Sequence, residues 1–173
     1  MRRLASLLAL TAVAVLLAAC GGSKHAAAPP ATTTARPPSP ADVLGPGGRA
    51  LYQGGSWAVV QLGSKAAAVH YVGGAWQVDD RKLVQVEILG PTPNGKAARI
   101  PQVAAEMTGK TRLVEEGLWV DGVELLEKGG GTPTRVTAYG APEQALKPGT
   151  HVAVAYARTA TAGTAVAWTF TVG

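Results

Sequence analysis

The chain has 173 residues, enough for one ordinary domain and a small additional module. Its 22 glycines and 12 prolines favour many turns over long helices, and its single cysteine excludes an internal disulfide, a cysteine-based metal cluster and a CxxC redox pair. The formal net charge is +5, but the basic residues are scattered, which argues against nucleic acid as a partner because such binding needs a concentrated basic face.

Residues 1–19 have the three parts of a secretory signal peptide, for which we expect a helix. Arg2 and Arg3 give a positive start, residues 4–19 are almost entirely apolar, and small residues precede position 20. The apolar run is shorter than the roughly 20 residues that a membrane-spanning helix needs. The pattern therefore predicts export.

The end of this segment, Leu17-Ala18-Ala19-Cys20, resembles the lipobox of bacterial lipoproteins. The resemblance implies cleavage between Ala19 and Cys20, attachment of a diacylglycerol to the Cys20 sulfur and frequent acylation of the new amino group. It implies a protein attached by this lipid to the outer, extracytoplasmic face of the cell membrane. The alternative is an ordinary secretory signal followed by a chance cysteine.

Residues 20–48 consist mainly of Gly, Ser, Ala, Thr and Pro. Such a composition offers too little apolar surface to offset the entropy of ordering, so we predict a disordered tether after the lipidated cysteine. A tether of this length would hold the folded region some distance from the membrane.

Residues 49–80 predict a small β-meander of about three strands. The segments beginning at Gly54 and Gly73 echo each other as Gly-Gly-small-Trp-x-Val, and 67–72 reads as a strand between them. A unit of this size is marginal by itself, so it should pack against the rest of the chain.

Residues 81–173 predict about seven short strands separated by turn signals, which is typical of a two-sheet antiparallel sandwich. Strands are expected at 83–89, at 99–107 (confined to an edge by Pro101) and at 134–139, with a loop at 129–131. Asp121-Gly122 between two apolar runs predicts a hairpin with a type I′ turn. The segments 150–157 and 165–172 alternate apolar and small or polar residues and predict a final hairpin of half-buried strands.

Three segments of this region resemble bacterial immunoglobulin-like domains: 120–122, then 146–154 with its Leu-Lys-Pro-Gly-Thr-His start, then 168–172. The resemblance implies an immunoglobulin-like sandwich, without the disulfide of antibody domains. It also implies a structural role for His151, which stands where related sandwiches often carry a tyrosine.

No catalytic, metal or cofactor site is predicted. His70 and His151 lack a second histidine at metal-ligand spacing, and a triad of Ser56 or Ser64, His70 and Asp79 has no nucleophile-elbow motif. Asp79-Asp80 and Glu115-Glu116 are too few acids for a calcium cage and read as solvated turns.

The tryptophans leave two interpretations open. Trp57, Trp76 and Trp119 are candidates for an exposed binding surface, since aromatic residues dominate binding hot spots, but core packing is the alternative. Trp168 fits the apolar stripe of the last strand and is expected in the core.

Two functional hypotheses follow. The first is a non-catalytic, lipid-anchored module that binds or supports an envelope protein or polysaccharide. The second is an envelope enzyme or metal-binding lipoprotein that uses His70 or His151, which requires these histidines to meet Asp79, Asp80 or Glu106 in a pocket.

Overall fold

The computed structural model describes residues 38–79, 82–126 and 128–173, and these are almost entirely β structure. One 3₁₀ helix, Pro40–Leu44, precedes thirteen strands. The strands are β1 (Arg49–Gly54), β2 (Trp57–Leu62), β3 (Lys65–Val72), β4 (Ala75–Val78), β5 (Val84–Gly90), β6 (Lys96–Ala97), β7 (Val103–Gly109), β8 (Glu115–Val120), β9 (Val123–Glu124), β10 (Lys128–Thr132), β11 (Arg135–Gly140), β12 (Gly149–Arg158) and β13 (Gly163–Val172). In these ranges no helix has the length and apolar character needed to cross a membrane.

The strands form three sheets. The meander sheet has the order β1-β2-β3-β4, the outer sheet β10-β11-β7-β5 and the central sheet β6-β13-β12-β8-β9. All pairings are antiparallel except that of β6 with β13. Without the short edge strands β6 and β9, the outer and central sheets contain seven strands. Lettered A to G in chain order from β5, these strands give the outer sheet the order D-E-B-A and the central sheet the order G-F-C, which is the strand order of the immunoglobulin sandwich. The predicted all-β sandwich with a preceding meander is confirmed.

The Asp121-Gly122 turn has the predicted conformation. Both residues have positive φ, 49° and 76°, and they connect β8 to β9. The final hairpin is also confirmed, since β12 and β13 pair along their whole length.

Other local predictions are wrong. The meander has four strands rather than about three, and the sandwich has nine rather than about seven. The segment 129–131, predicted as a loop, lies within edge strand β10. Hydrogen bonds to β11 hold it there, although glycine is rare in strands and the sequence therefore does not indicate one. Pro101 does not make an edge strand: β7 begins after it, at Val103, and runs between β5 and β11.

The predicted end of the disordered tether at residue 48 is also wrong. Ser39 caps the 3₁₀ helix: its hydroxyl accepts the Ala41 N–H, and the Asp42 carboxylate accepts the Ser39 N–H, as in a capping box. Val43 and Leu44 then pack on the meander sheet. Residues 39–44 are therefore part of the folded region, and residues 20–37 of the predicted tether lie outside the described ranges, as does the signal segment.

The sandwich core lies between the outer and central sheets. From the outer sheet it takes residues such as Val103 and Met107, and from the central sheet Leu118, Trp168 and Phe170. Trp168 is in the core, as predicted. Buried residues alternate with less buried ones along much of β7 and β13, because successive side chains of a strand point to opposite faces of the sheet. The buried ones form this core.

The opposite face of the central sheet is covered by the meander sheet. Trp57, Val59 and Ala68 of the meander pack against Trp119, Val154 and Tyr156, which form a second core. The prediction of half-buried final strands is therefore wrong for β12, which is buried on both faces over most of its length. The domain thus has three layers, with the central sheet in the middle.

Gly117 gives the second core room for a large ring. A side-chain carbon at this position would overlap the six-membered ring of Trp119, which is packed against the meander. A larger residue would have to displace the indole from its site between the two sheets.

We predict that Gly117→Ala lowers the free energy of unfolding by about 1–3 kcal/mol, because it overpacks this site. Gly130→Ala is the matched control: a carbon there meets nothing within 4 Å, and its effect should stay within about 0.5 kcal/mol. Urea unfolding of both variants checks this, and equal stability of the two would contradict the packing assigned to Trp119.

Candidate functional site

Two of the three tryptophans proposed for a binding surface are buried. Trp57 is 3% exposed and Trp119 is 2% exposed, and both lie between the meander and central sheets. They cannot form an exposed surface, so that prediction is wrong for them, and the alternative of core packing is correct. The reason is that the central sheet is covered on both faces.

Trp76 is different, because it stays partly exposed on edge strand β4. Its ring meets that of Tyr71 edge to face across the β3–β4 pair, with centroids 5.2 Å apart. Tyr71 is 37% exposed and Val78 is 45% exposed. Tyr71 and Val78 were not among the residues predicted for a binding surface, although the lack of charged residues from 66 to 78 is a sequence signal for it.

A polar cluster closes one margin of the interface between the meander and central sheets. Arg158 forms an ion pair with Glu115, and its guanidinium lies 5.9 Å from the centre of the Trp57 ring. A hydrogen bond between Tyr52 and Glu115 raises the pKa of the Tyr52 phenol. These contacts join β1 and β2 of the meander to β8 and β12 of the sandwich, which is a structural role.

His70 also contributes to this interface. Its ring stacks on Trp57, with centroids 4.2 Å apart and planes 4° from parallel, and its Nε2 lies 3.1 Å from Oγ of Ser56. Two members of the triad considered from the sequence thus meet, but Ser56 lies exposed in the β1–β2 turn. Asp79 accepts the backbone N–H of Gly163 at 2.7 Å and so fixes the start of β13.

His151 connects two separate segments at the other end of β12. Its Nδ1 lies 2.7 Å from Oδ2 of Asp121, in the β8–β9 turn, and its Nε2 lies 2.7 Å from the carbonyl oxygen of Lys147. The other Asp121 oxygen accepts the Val152 N–H. In immunoglobulin sandwiches a tyrosine near the start of the corresponding strand forms a hydrogen bond with the backbone a few residues upstream. The hydrogen bond between His151 and the Lys147 carbonyl is similar.

Both ring nitrogens of His151 face acceptors, so both hydrogen bonds form only when the ring is protonated and has two N–H groups. The bond to the Asp121 carboxylate raises the pKa of His151 above its ordinary 6.5, and this outweighs burial, which lowers that pKa. The imidazolium is thus the form that the fold stabilises.

The two histidines lie far apart. His70 stacks on Trp57, and the guanidinium of Arg158, at the end of β12, lies over the same indole ring. Seven residues of extended strand, roughly 23 Å, separate Arg158 from His151 near the start of β12. A joint site for His70 and His151 is therefore ruled out, and Glu106 is bonded to Arg135 instead.

No group of three His, Cys, Asp or Glu side chains that could hold a metal ion occurs in the parts of the chain that the structure describes. Asp80 and Cys20 lie outside those parts, so the structure tests neither the interpretation of Asp79-Asp80 as a solvated turn nor the lipidation of Cys20. Glu115 of the predicted acidic turn is in β8 and pairs with Arg158, and Glu116 is exposed beside it.

A cleft of about 370 Å³ opens at the edge of the sandwich beside β9, the last strand of the central sheet. Core side chains such as Val120 and Leu125 reach its floor, and Val123 and Leu126 at its rim are 68% and 79% exposed. Its walls are the β8–β9 hairpin and the segment 141–146, and carboxylates of Asp121, Glu124 and Glu143 line it.

His151 joins the two walls of this cleft, because Asp121 belongs to one wall and Lys147 follows the other directly in the chain. The cleft could not be predicted from the sequence. Val123 falls in the second apolar run of the predicted hairpin, and its exposure follows from the position of β9 at the edge of the central sheet.

Comparison with protein families found none that matches the chain, and comparison with curated proteins found no match either.

We predict that His151 makes stability depend on pH. Because its folded-state pKa is raised, its contribution is complete below pH 6.5 and is lost as the pH rises through the folded-state value. The wild-type free energy of unfolding should therefore fall from pH 6 to pH 9, as measured by urea unfolding at several pH values.

The matched variant is His151→Tyr. Its hydroxyl can form a hydrogen bond with the backbone upstream, as the tyrosine of immunoglobulin sandwiches does, but it does not titrate between pH 6 and pH 9. The variant should be folded and should show a flatter profile. An identical slope in wild type and variant would contradict the bridging role of His151.

Proposed function

We propose that this protein is an exported lipoprotein, held at the outer face of the cell membrane by lipid on Cys20, whose immunoglobulin-like domain binds another envelope component without catalysing a reaction. The anchor is supported by the lipobox-like sequence ending at Cys20, the only cysteine of the chain. One acyl chain binds a membrane reversibly, whereas two or three on one residue make release negligible.

The observation that carries the binding role is the cleft beside β9. Its rim exposes Val123 and Leu126, and its floor consists of core side chains, so an apolar group of a partner can replace water there. Ligand sites combine such an apolar lining with a few polar groups that fix orientation, and Glu124 and Glu143 provide these. This composition favours an envelope protein over a polysaccharide.

The non-catalytic part of the proposal is supported by the contacts of the polar side chains. His70 stacks on Trp57, and His151 bridges two loops. In both cases the ring is held by the fold rather than presented to a cleft, which favours a binding module over an enzyme that uses either histidine.

For the anchor, we predict that a fatty-acid analogue supplied to the expressing bacterium labels the wild-type protein and not Cys20→Ser. The serine variant should leave the membrane fraction while its domain stays folded, since the substitution lies outside the β domain. Equal labelling of both proteins would refute the anchor.

For the cleft, we predict that a photo-crosslinking amino acid at position 126 captures an envelope protein in intact cells. The same group at Val114, which is 48% exposed at the opposite end of the sandwich, is the control. Glu143→Lys, which reverses a charge in the cleft wall, should reduce the yield from position 126. Equal products from positions 126 and 114 would contradict a specific site.

A further inference from the structure

The β3–β4 hairpin presents an uncharged aromatic surface. Residues 66–78 contain no Asp, Glu, Lys or Arg, and this stretch ends at Lys65 and Asp79. We call Tyr71, Trp76 and Val78, together with Val72 near the turn, the hairpin patch. Tyr71, Val72 and Val78 are 37%, 44% and 45% exposed, and Trp76 is partly exposed.

The hairpin patch lies on an unprotected sheet edge. β4 is the last strand of the meander sheet, and natural edge strands usually carry a charge or a proline that prevents pairing with other molecules. β4 has neither, and its turn consists of two exposed glycines, Gly73 and Gly74, with positive φ. Such a surface is expected to be covered by something in the native setting of the protein.

The position of the patch indicates what covers it. Trp76 packs in the same cluster as Val43 and Leu44 of the 3₁₀ helix, so the described chain begins beside the patch. From residue 38 the chain leads back to Cys20 in 18 steps, which span at most about 60 Å. A lipid on Cys20 therefore keeps the hairpin patch within reach of the bilayer.

The chemistry of the patch suits the headgroup region of a bilayer. Trp and Tyr are enriched at membrane–water interfaces, because one end of each ring is apolar and the other end can hydrogen-bond. Neighbouring valines add apolar surface, and residues 66–78 contain no Asp, Glu, Lys or Arg whose charge would have to be dehydrated.

We infer that the hairpin patch inserts into the headgroup region of the membrane that carries the lipid on Cys20, and so docks the meander face of the domain on the bilayer. This inference rests on the lipid anchor of the proposed function. The patch by itself is small, but anchoring makes its contact intramolecular, so a weak interaction is enough.

A second copy of the chain is the competing occupant, through pairing of two β4 edges. A stable interface needs about 800 Å² from each partner. Four partly exposed side chains supply far less than that. The size of the patch therefore favours the bilayer.

The test uses the mature chain, residues 20–173, coupled through the Cys20 thiol to a maleimide phospholipid in phosphatidylcholine vesicles. Coupling is specific because the chain has no other cysteine. It is also independent of lipidation in cells, so failure of the anchor and failure of docking are read out separately.

The readout is quenching of tryptophan fluorescence by phosphatidylcholine brominated close to the headgroup. Trp57, Trp119 and Trp168 are at most 4% exposed, so Trp76 should give nearly all of the quenching. We expect quenching of the coupled wild type, loss of most of it in Trp76→Phe, and no change when the salt concentration is raised, because the patch carries no charge.

Two further variants separate docking from misfolding. The double substitution Tyr71→Ser and Val78→Ser leaves Trp76 in place and should reduce quenching. Leu89→Ser, which removes another half-exposed apolar side chain from the sandwich, should leave quenching unchanged. Near-ultraviolet circular dichroism confirms that each variant is folded.

Three outcomes would overturn the inference. The first is a coupled wild type that brominated vesicles do not quench, and the second is equal quenching of wild type and Trp76→Phe. The third is a soluble Cys20→Ser protein that sediments as a dimer and becomes monomeric on substitution of Tyr71 and Val78, since the patch would then join two copies.

Discussion

The structure depends on a sheet that is apolar on both faces. In β12, Ala153, Ala155 and Ala157 face the sandwich core, whereas Val152, Val154 and Tyr156 face the meander. A sheet with two apolar faces must be covered on both, and a two-sheet sandwich by itself covers only one face of each sheet. The meander supplies the second cover, so it is a structural layer of the domain and not an appendage to it.

This constraint decides which side chains remain for function. The bulky residues Trp57 and Trp119 fill the second interface, and Glu115, Arg158 and His70 hold its margin. Apolar surface stays exposed where sheets end, at the cleft beside β9 and at the hairpin patch of β4. In the account proposed here the first surface meets a partner and the second meets the membrane, with the domain held between them by its anchor.

Much of the fold could be predicted from the sequence, namely the parts in which a pattern of a few residues is enough to determine the structure. The Asp121-Gly122 turn and the β12–β13 hairpin are examples, because turn chemistry and period-two alternation act over a few residues. The strand at 129–131 could not be predicted, since pairing with a distant strand creates it. The burial of Trp119 and the bridge from His151 to Asp121 depend on layers and loops far apart in sequence, and the cleft forms between the β8–β9 hairpin and the distant segment 141–146.

The most direct test of the three-layer account is native-state hydrogen exchange of the soluble Cys20→Ser protein, resolved by residue. If the meander is a structural layer, the amides of β2 and β3 should open with the same free energy as those of β12, within about 1 kcal/mol, and both should match global unfolding. Exchange of β2 and β3 at a clearly lower free energy, while β12 stays fully protected, would contradict the account, because the central sheet would then be stable with one face uncovered.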